Sequence, residues 1–425
     1  MKKSKYIILS VLSAMALTSC SLFNDDDIKV ENHFSPKQDS TSIVVYEEKI
    51  GDVNAIKVED VPTSLVFKNV PYSNLPDGKI ENTYKEGGAN YSWYNVNGGD
   101  DYDVDKNNNN FDLYVPEEAV KGEDQNVVLF IHGGAWISGL KTDVNPYVKL
   151  FANKGYISAT IEYTLLSKEM NDSALSVFRN LDEIDACVKT IKESLIDLGY
   201  TGKLNLVIGG ASSGAHLAML YSYSRKSTYP MDIKFIVDAV GPTDIQEYAW
   251  KEFVNAEDRH QASALRNGSE QQGTGHLKTL PVAGQGYDWN EYQTMRIANG
   301  MCGLPFALSE VEASTSDEIN VTDHSSDLYK KIVSNSNSGE KLLSVTHYIT
   351  SANKIPMLCG YAGDDKVVGI SQFANLEKAM TSNSYVENTD YKFFYFENCG
   401  HVNLDTDQAT YEAFSNAILN WLENK

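Results

Sequence analysis

The chain has 425 residues, with 58 acidic against 36 basic side chains and a formal net charge of −22 at pH 7. Such a surplus of negative charge argues against nucleic acid as a partner and against electrostatic binding to an anionic lipid surface. Length and an apolar content of 42% allow one large α/β domain with insertions, or two domains.

The first residues do not read as part of a fold. Lys2, Lys3 and Lys5 precede an apolar run from Tyr6 to Leu17 that is too short to span a bilayer, the layout of an export signal. Leu17-Thr18-Ser19-Cys20 resembles a bacterial lipobox, in which small residues precede a cysteine that becomes lipidated. The expected organisation is a signal peptide over 1–19, a lipid-anchored polar linker over 20–61, and a domain over 62–425. Cys20 would then be the membrane contact of a cell-envelope protein, with the acidic run Asp25-Asp26-Asp27 as a solvated tether. Within the linker only Ile43-Val44-Val45-Tyr46 looks strand-like.

From Tyr84 to Asn110 the chain is rich in Gly, Asn, Asp and Tyr without periodicity, so it reads as loop. Asp103, Asp105, Asn107 and Asn109 alternate as in a calcium loop, but the turn glycine and closing glutamate are missing, and a plain surface loop is expected. Strand and helix patterns then alternate. Val127-Val128-Leu129-Phe130-Ile131 is a strand, 157–162 another, and 181–198 a helix whose Ile184, Cys187, Val188 and Ile191 form a core face. Leu204-Asn205-Leu206-Val207-Ile208 reads as a buried parallel strand, and 215–221 as the helix after it. Strands follow at 235–240, at 355–359 and at 391–396, and a closing helix at 405–425 has Asp405 or Thr406 as a plausible cap. The βα repetition predicts a mostly parallel sheet flanked by helices. One interval, 245–343, breaks the rhythm and is too long for an ordinary connection, so it reads as a cap-like insertion.

Gly210-Ala211-Ser212-Ser213-Gly214 lies at the junction of the 204–208 strand and its helix. A strand turning this sharply into a helix exposes the Ser212 hydroxyl and sets the Ser213 amide at a helix N-terminus. A serine used as a nucleophile needs a base, and the base needs an acid that fixes its tautomer. His401, in Asn398-Cys399-Gly400-His401, is the only one of eight histidines beyond Asp365. Asp365 and Asp244 both follow predicted strands and are rival acids. His132-Gly133-Gly134 follows the 127–131 strand, where the Gly133 and Gly134 amides, with that of Ser213, could bind an oxyanion. His132 is expected to orient that loop and His216 to pack or hydrogen-bond. Cys187 and Cys359 read as buried thiols, and pairing of Cys302 with Cys399 is left open.

Together with Asp112-Leu113-Tyr114-Val115-Pro116 and Gly241-Pro242-Thr243-Asp244, these motifs resemble the α/β-hydrolase superfamily, in its hormone-sensitive-lipase-like and carbohydrate-esterase-like branch. The resemblance covers most of the span from Leu65 to Lys425. It departs at Tyr163-Thr164, Ser213-Gly214 and Tyr361-Ala362, none of which removes a candidate catalytic group. It implies the α/β-hydrolase fold and favours Asp365 over Asp364, because the residues after Asp365 match the family turn; Asp244, which also ends a strand, is the less favoured rival. It also implies a serine ester hydrolase working through an acyl-enzyme without metal or organic cofactor, acting on small-molecule or glycan esters such as acetyl or feruloyl groups. A serine exopeptidase and a catalytically silent binding module are the alternatives, and oligomeric state is not addressed by the residues.

Overall fold

A computed structural model of the protein describes residues 45–72, 109–136, 139–163, 177–226, 229–245, 280–282, 287–289, 343–365 and 367–424. The export signal, Cys20, Asp103 to Asn107, Cys302 and most of the 245–343 insertion lie outside the described residues.

Four strands open the described chain: β1 (Val45–Ile50), β2 (Val53–Ile56), β3 (Ser64–Pro71) and β4 (Asn110–Pro116), paired antiparallel in sequence. The expectation of a linker over 20–61 is therefore corrected at its end, because β1 and β2 belong to the main sheet. The strand-like run at Ile43-Val44-Val45-Tyr46 overlaps only the start of β1; β1 is an edge strand whose Glu47, Glu48 and Lys49 are exposed, so no apolar alternation marks the rest of it.

The core follows as alternating strands and helices. They are β5 (Gln125–Ile131), α1 (Asn145–Ala152), β6 (Ile157–Glu162), α2 (Val177–Asp197), β7 (Leu204–Ala211), α3 (Ser213–Ser224) and β8 (Asp232–Ala239). Inside the insertion, β9 (Leu280–Val282) and β10 (Tyr287–Trp289) pair antiparallel. Beyond it come α4 (Val345–Tyr348), β11 (Met357–Ala362), α5 (Ser371–Ser382), β12 (Tyr391–Phe396) and α6 (Gln408–Asn424). The ten-stranded sheet runs β1-β2-β3-β4-β6-β5-β7-β8-β11-β12, parallel from β6 to β12.

Burial on both faces explains why the inner parallel strands β5 and β7 are near-continuous apolar runs. Along β5, Val127, Leu129 and Ile131 join one core with α2, α3 and α5, while Val128 and Phe130 join the other with α1 and α6. Leu206 and Ile208 of β7 face the first layer and Val207 the second, the period of two that a strand imposes. On α6, Tyr411, Phe414, Ile418 and Leu422 are buried and Trp421 sets its edge against Phe235. Its cap is neither Asp405 nor Thr406: a 3-10 turn occupies Leu404–Thr406, and Asp407 accepts the Thr410 amide instead. The insertion leaves and re-enters the sheet at one place, where the Ile245 amide donates to Ser344 Oγ (2.9 Å) and the Thr346 amide to the Thr243 carbonyl (3.3 Å).

Candidate active site

Parallel register brings the carboxyl ends of β5, β7, β8, β11 and β12 to one edge, the place where open α/β sheets carry their sites. Ser212 follows β7 with φ 54° and ψ −125°, a conformation rare for a residue with a side chain. The flanking glycines are required by space. A Cβ on Gly210 would lie 2.4 Å from the Gly214 carbonyl carbon, and one on Gly214 would lie 2.2 Å from the Ile131 carbonyl oxygen. The Ser212 amide is fixed by the Ala239 carbonyl at 2.8 Å. Although Ser212 occupies the N-cap of α3, its hydroxyl caps nothing. It points to His401 instead.

Ser212 Oγ lies 2.9 Å from His401 Nε2, and His401 Nδ1 lies 2.7 Å from Asp365 Oδ2. Asp365 Oδ1 accepts the Val367 and Val368 amides, each at 2.8 Å, so every contact of this carboxylate is with a donor. Its side chain is fully buried. The loops bearing acid and imidazole are tied together: the Gly363 amide donates to Phe396 (3.0 Å) and the Asp364 amide to Cys399 (2.9 Å). In this arrangement the carboxylate holds Nδ1–H, leaving Nε2 to take the serine proton. Asp244 sits elsewhere, its amide donating to Gln372 Oε1 at 2.9 Å. Cys399 is a free buried thiol 3.1 Å from Thr406 Oγ1, so the pairing with Cys302 is not formed.

The loop after β5 passes directly under Ser212. A Cβ on Gly133 would meet the Ala211 carbonyl oxygen at 2.9 Å and Ser212 Cβ at 3.3 Å. Ser213 begins α3, so its amide has no acceptor inside the helix. His132 is fully buried, stacks on Tyr163 (centroids 4.2 Å apart) and turns Nδ1 to the Gly133 carbonyl at 2.8 Å. Tyr163 in turn donates to the His132 carbonyl at 3.1 Å. Trp136 closes the loop against the edge of His216, whose Nε2–H donates to the Leu343 carbonyl at 2.8 Å. Burial brings the His216 imidazole down to about 4, so it stays neutral.

Several supporting residues escaped the sequence reading. Lys141, just after the loop, gives its amide to Glu162 Oε2 (3.0 Å) and its ammonium to Asp112 Oδ1 (2.7 Å). Lys68 also reaches Asp112 at 2.7 Å. Burial works to raise the Asp112 carboxyl, but the two ammonium groups hold it below its ordinary range. Glu162 Oε1 stands 3.6 Å from His132 Nε2. A charged residue ending an apolar strand, as in Ile161-Glu162, was the available signal. Asn109 is buried and donates to Glu183 Oε1 at 3.1 Å, a core role rather than a place on a calcium loop. Among the described residues no group of three or more His, Cys, Asp or Glu side chains is arranged to hold a metal ion. No described helix is long and apolar enough to cross a membrane.

Residues 111–282 match the BD-FAE family model, a span that holds Gly133, Gly134 and Ser212 but neither Asp365 nor His401. The non-reducing polyketide synthase adrD of Penicillium rubens is 28% identical over 150 residues, 33% of this chain and 6% of the synthase. The synthase ausA of Aspergillus calidoustus is 30% identical over 149 residues, with the same 33% and 6%. The chain therefore spans a small fraction of the length of these relatives. Among solved structures, esterase B from Lactobacillus rhamnosis aligns over 86% of this chain and 90% of its own, at 13% identity and TM-score 0.45. A truncated carbohydrate esterase from gut microbiota aligns over 87% and 99%, at 13% identity and TM-score 0.47. The strand order, the sharp β7–α3 turn and the family match agree on an α/β-hydrolase fold, and residues 111–282 match BD-FAE, an α/β-hydrolase esterase family.

Proposed function

We propose that the protein is a serine carboxylic-ester hydrolase that works through an acyl-enzyme. The observation that supports this is the line of hydrogen bonds from Ser212 through His401 (2.9 Å) to Asp365 (2.7 Å), starting at a strained residue on a helix N-terminus. Ser212 Oγ attacks the ester carbonyl carbon while His401 Nε2 takes its proton. Asp365 steadies the imidazolium. The amides of Gly133, Gly134 and Ser213 donate to the tetrahedral oxyanion. Its collapse expels the alcohol, which leaves with the proton from Nε2, and water then repeats the sequence on the acyl-enzyme.

The finer parts of the proposal come from the sequence resemblance: acetyl or feruloyl esters on carbohydrates as substrates, and a lipid anchor at Cys20 in the cell envelope. A fluorophosphonate probe should label the protein and not Ser212→Ala, and 4-nitrophenyl acetate turnover should fall at least about a thousandfold in that variant. Near wild-type turnover in Ser212→Ala would remove the nucleophile. Folded protein that is never labelled would be a binding module. Cleavage of aminoacyl-proline amides without ester turnover would make it an exopeptidase, whereas acetylated xylan or methyl ferulate turnover supports the glycan reading. Cys20→Ser should move the protein from the membrane to the soluble fraction, and unchanged membrane association would refute the anchor.

A further inference from the structure

Directly behind the nucleophile lies a buried acid that the hydrolytic line does not use. Asp238, on β8, pairs with Gly210 of β7 on one side and Cys359 of β11 on the other, and it is fully buried. Its Oδ1 accepts the Gly241 amide at 2.9 Å. Its Oδ2 lies 2.7 Å from the hydroxyl of Tyr361, which is itself 2.6 Å from the Gly241 carbonyl.

Proton counting decides the state of this cluster. A carbonyl only accepts, and a phenol has one proton. Were Asp238 a carboxylate, the single Tyr361 proton would face two acceptors. One of the two short contacts would then be oxygen against oxygen with no hydrogen between, in a site closed to water. With a proton on Oδ2 every contact is made: Asp238 Oδ2–H donates to Tyr361, Tyr361 donates to the Gly241 carbonyl, and the Gly241 amide donates to Oδ1.

The position gives this chain a role. The neighbouring Ala239 carbonyl holds the Ser212 amide at 2.8 Å, and the Val240 amide donates to Gly360 at 2.8 Å, one residue before Tyr361. The turn after β8 thus links the nucleophile to the strand that leads to Asp365. We propose that Asp238 is a neutral carboxylic acid in the working protein and, with Tyr361, is a positioning pair that locks this turn, so that its ionisation sets an alkaline limit on activity. The limit on activity rests on the ester-hydrolase reading above.

Charge around the pair agrees. Burial drives the Asp238 carboxyl up to about 7, against the opposing pull of Tyr361 and the Gly241 amide. From β11, Tyr361 and Cys359 face it, both pushed up first by burial and next by Asp238, so neither supplies charge near neutral pH. Asp365 lies beyond Tyr361 and adds only negative charge. From β7 the partner is Gly210, and from α3 Ala215 and Met219 pack on Gly241, so none of these is titratable.

The test uses Asp238→Asn, whose amide N–H and oxygen reproduce the protonated acid. Wild type should show an infrared protonated-carboxyl band at neutral pH that is missing in this variant. Asp238→Asn should keep kcat within about threefold at pH 6.5 and retain it above pH 8, where wild-type kcat has fallen, with KM unchanged. Tyr361→Phe should lower kcat and, by removing the pull that opposes burial at Asp238, move the alkaline limb to higher pH. Absence of the infrared band, or a loss of more than tenfold in Asp238→Asn at pH 6.5, overturns the proposal. The band needs no turnover: its presence in a protein without ester activity would leave the proton on Asp238 and refute both the hydrolase reading and the limit on activity.

Discussion

Replacing Asp365 by asparagine separates orientation from packing at the site. Oδ1 of Asp365 holds two backbone amides at 2.8 Å, while Oδ2 holds the single Nδ1–H of His401 at 2.7 Å. The asparagine oxygen will stay with the two amides, because the opposite flip would set an NH2 group against two N–H donors, at about 1–3 kcal/mol for each buried group left unmet. Its NH2 then faces His401, forcing Nδ1 to accept and moving the ring proton to Nε2, where it points at Ser212 and cannot receive a proton. The expected loss in kcat is about ten-thousandfold, or about 5.5 kcal/mol in activation free energy, with KM little changed. Stability should fall by only about 1 kcal/mol, since both amides keep their acceptor. Asp365→Ala should lose activity similarly but also destabilise by about 2–6 kcal/mol through two orphaned amides. Ester turnover and urea denaturation on the same preparations measure both quantities. Asp365→Asn with kcat within tenfold of wild type would refute the assignment, and Asp244→Asn should stay within about threefold as the control.

Gly133→Ala sets a methyl 2.9 Å from the Ala211 carbonyl, which cannot yield without moving the nucleophile; kcat should fall about 100- to 1000-fold, and an activity unchanged within threefold would remove this loop from the site. The folded-state value of about 7 for Asp238 is raised from 3.8, so its contribution to stability is complete below 3.8 and is lost as pH rises to 7, about 4 kcal/mol in all. Denaturation of wild type and Asp238→Asn across that window should diverge by about 1.4 kcal/mol per pH unit, and parallel curves would refute it. His216 acts in the other direction: its value of about 4 is depressed from 6.5, so stability present above 6.5 is lost as pH falls to 4, about 3 kcal/mol. His216→Gln keeps a donor for the Leu343 carbonyl and should flatten that acid limb; an unchanged limb would contradict the assignment.

What the sequence disclosed follows from where each residue's environment is decided. The inner parallel strands are buried on both faces, so β5 and β7 announce themselves as apolar runs, and the glycines around Ser212 mark the turn because backbone on either side excludes a Cβ. Beyond Tyr46, the exposed edge strand β1 carries charge and gives no such signal. Asp365 was separable from Asp244 only through the resemblance, since both follow strands, whereas the choice in space depends on which loop is bonded to the one carrying His401. The roles of Glu162 and Asp238 were illegible for a further reason. A buried acid acquires meaning from its partners across the sheet, and Tyr361 is 123 positions from Asp238.

The clasp at the root of the insertion bears on how such a protein can be truncated. Ile245 meets Ser344 and Thr243 meets Thr346 inside the folded body, so the segment between leaves and returns through one doorway. Ser212 is positioned upstream of that doorway, by β7 and β8, and the acid and imidazole downstream, by loops bonded to one another. The spacing of serine, imidazole and carboxylate is therefore set on either side of the clasp, and the clasp itself, rather than the sequence between its ends, is what a truncation must preserve.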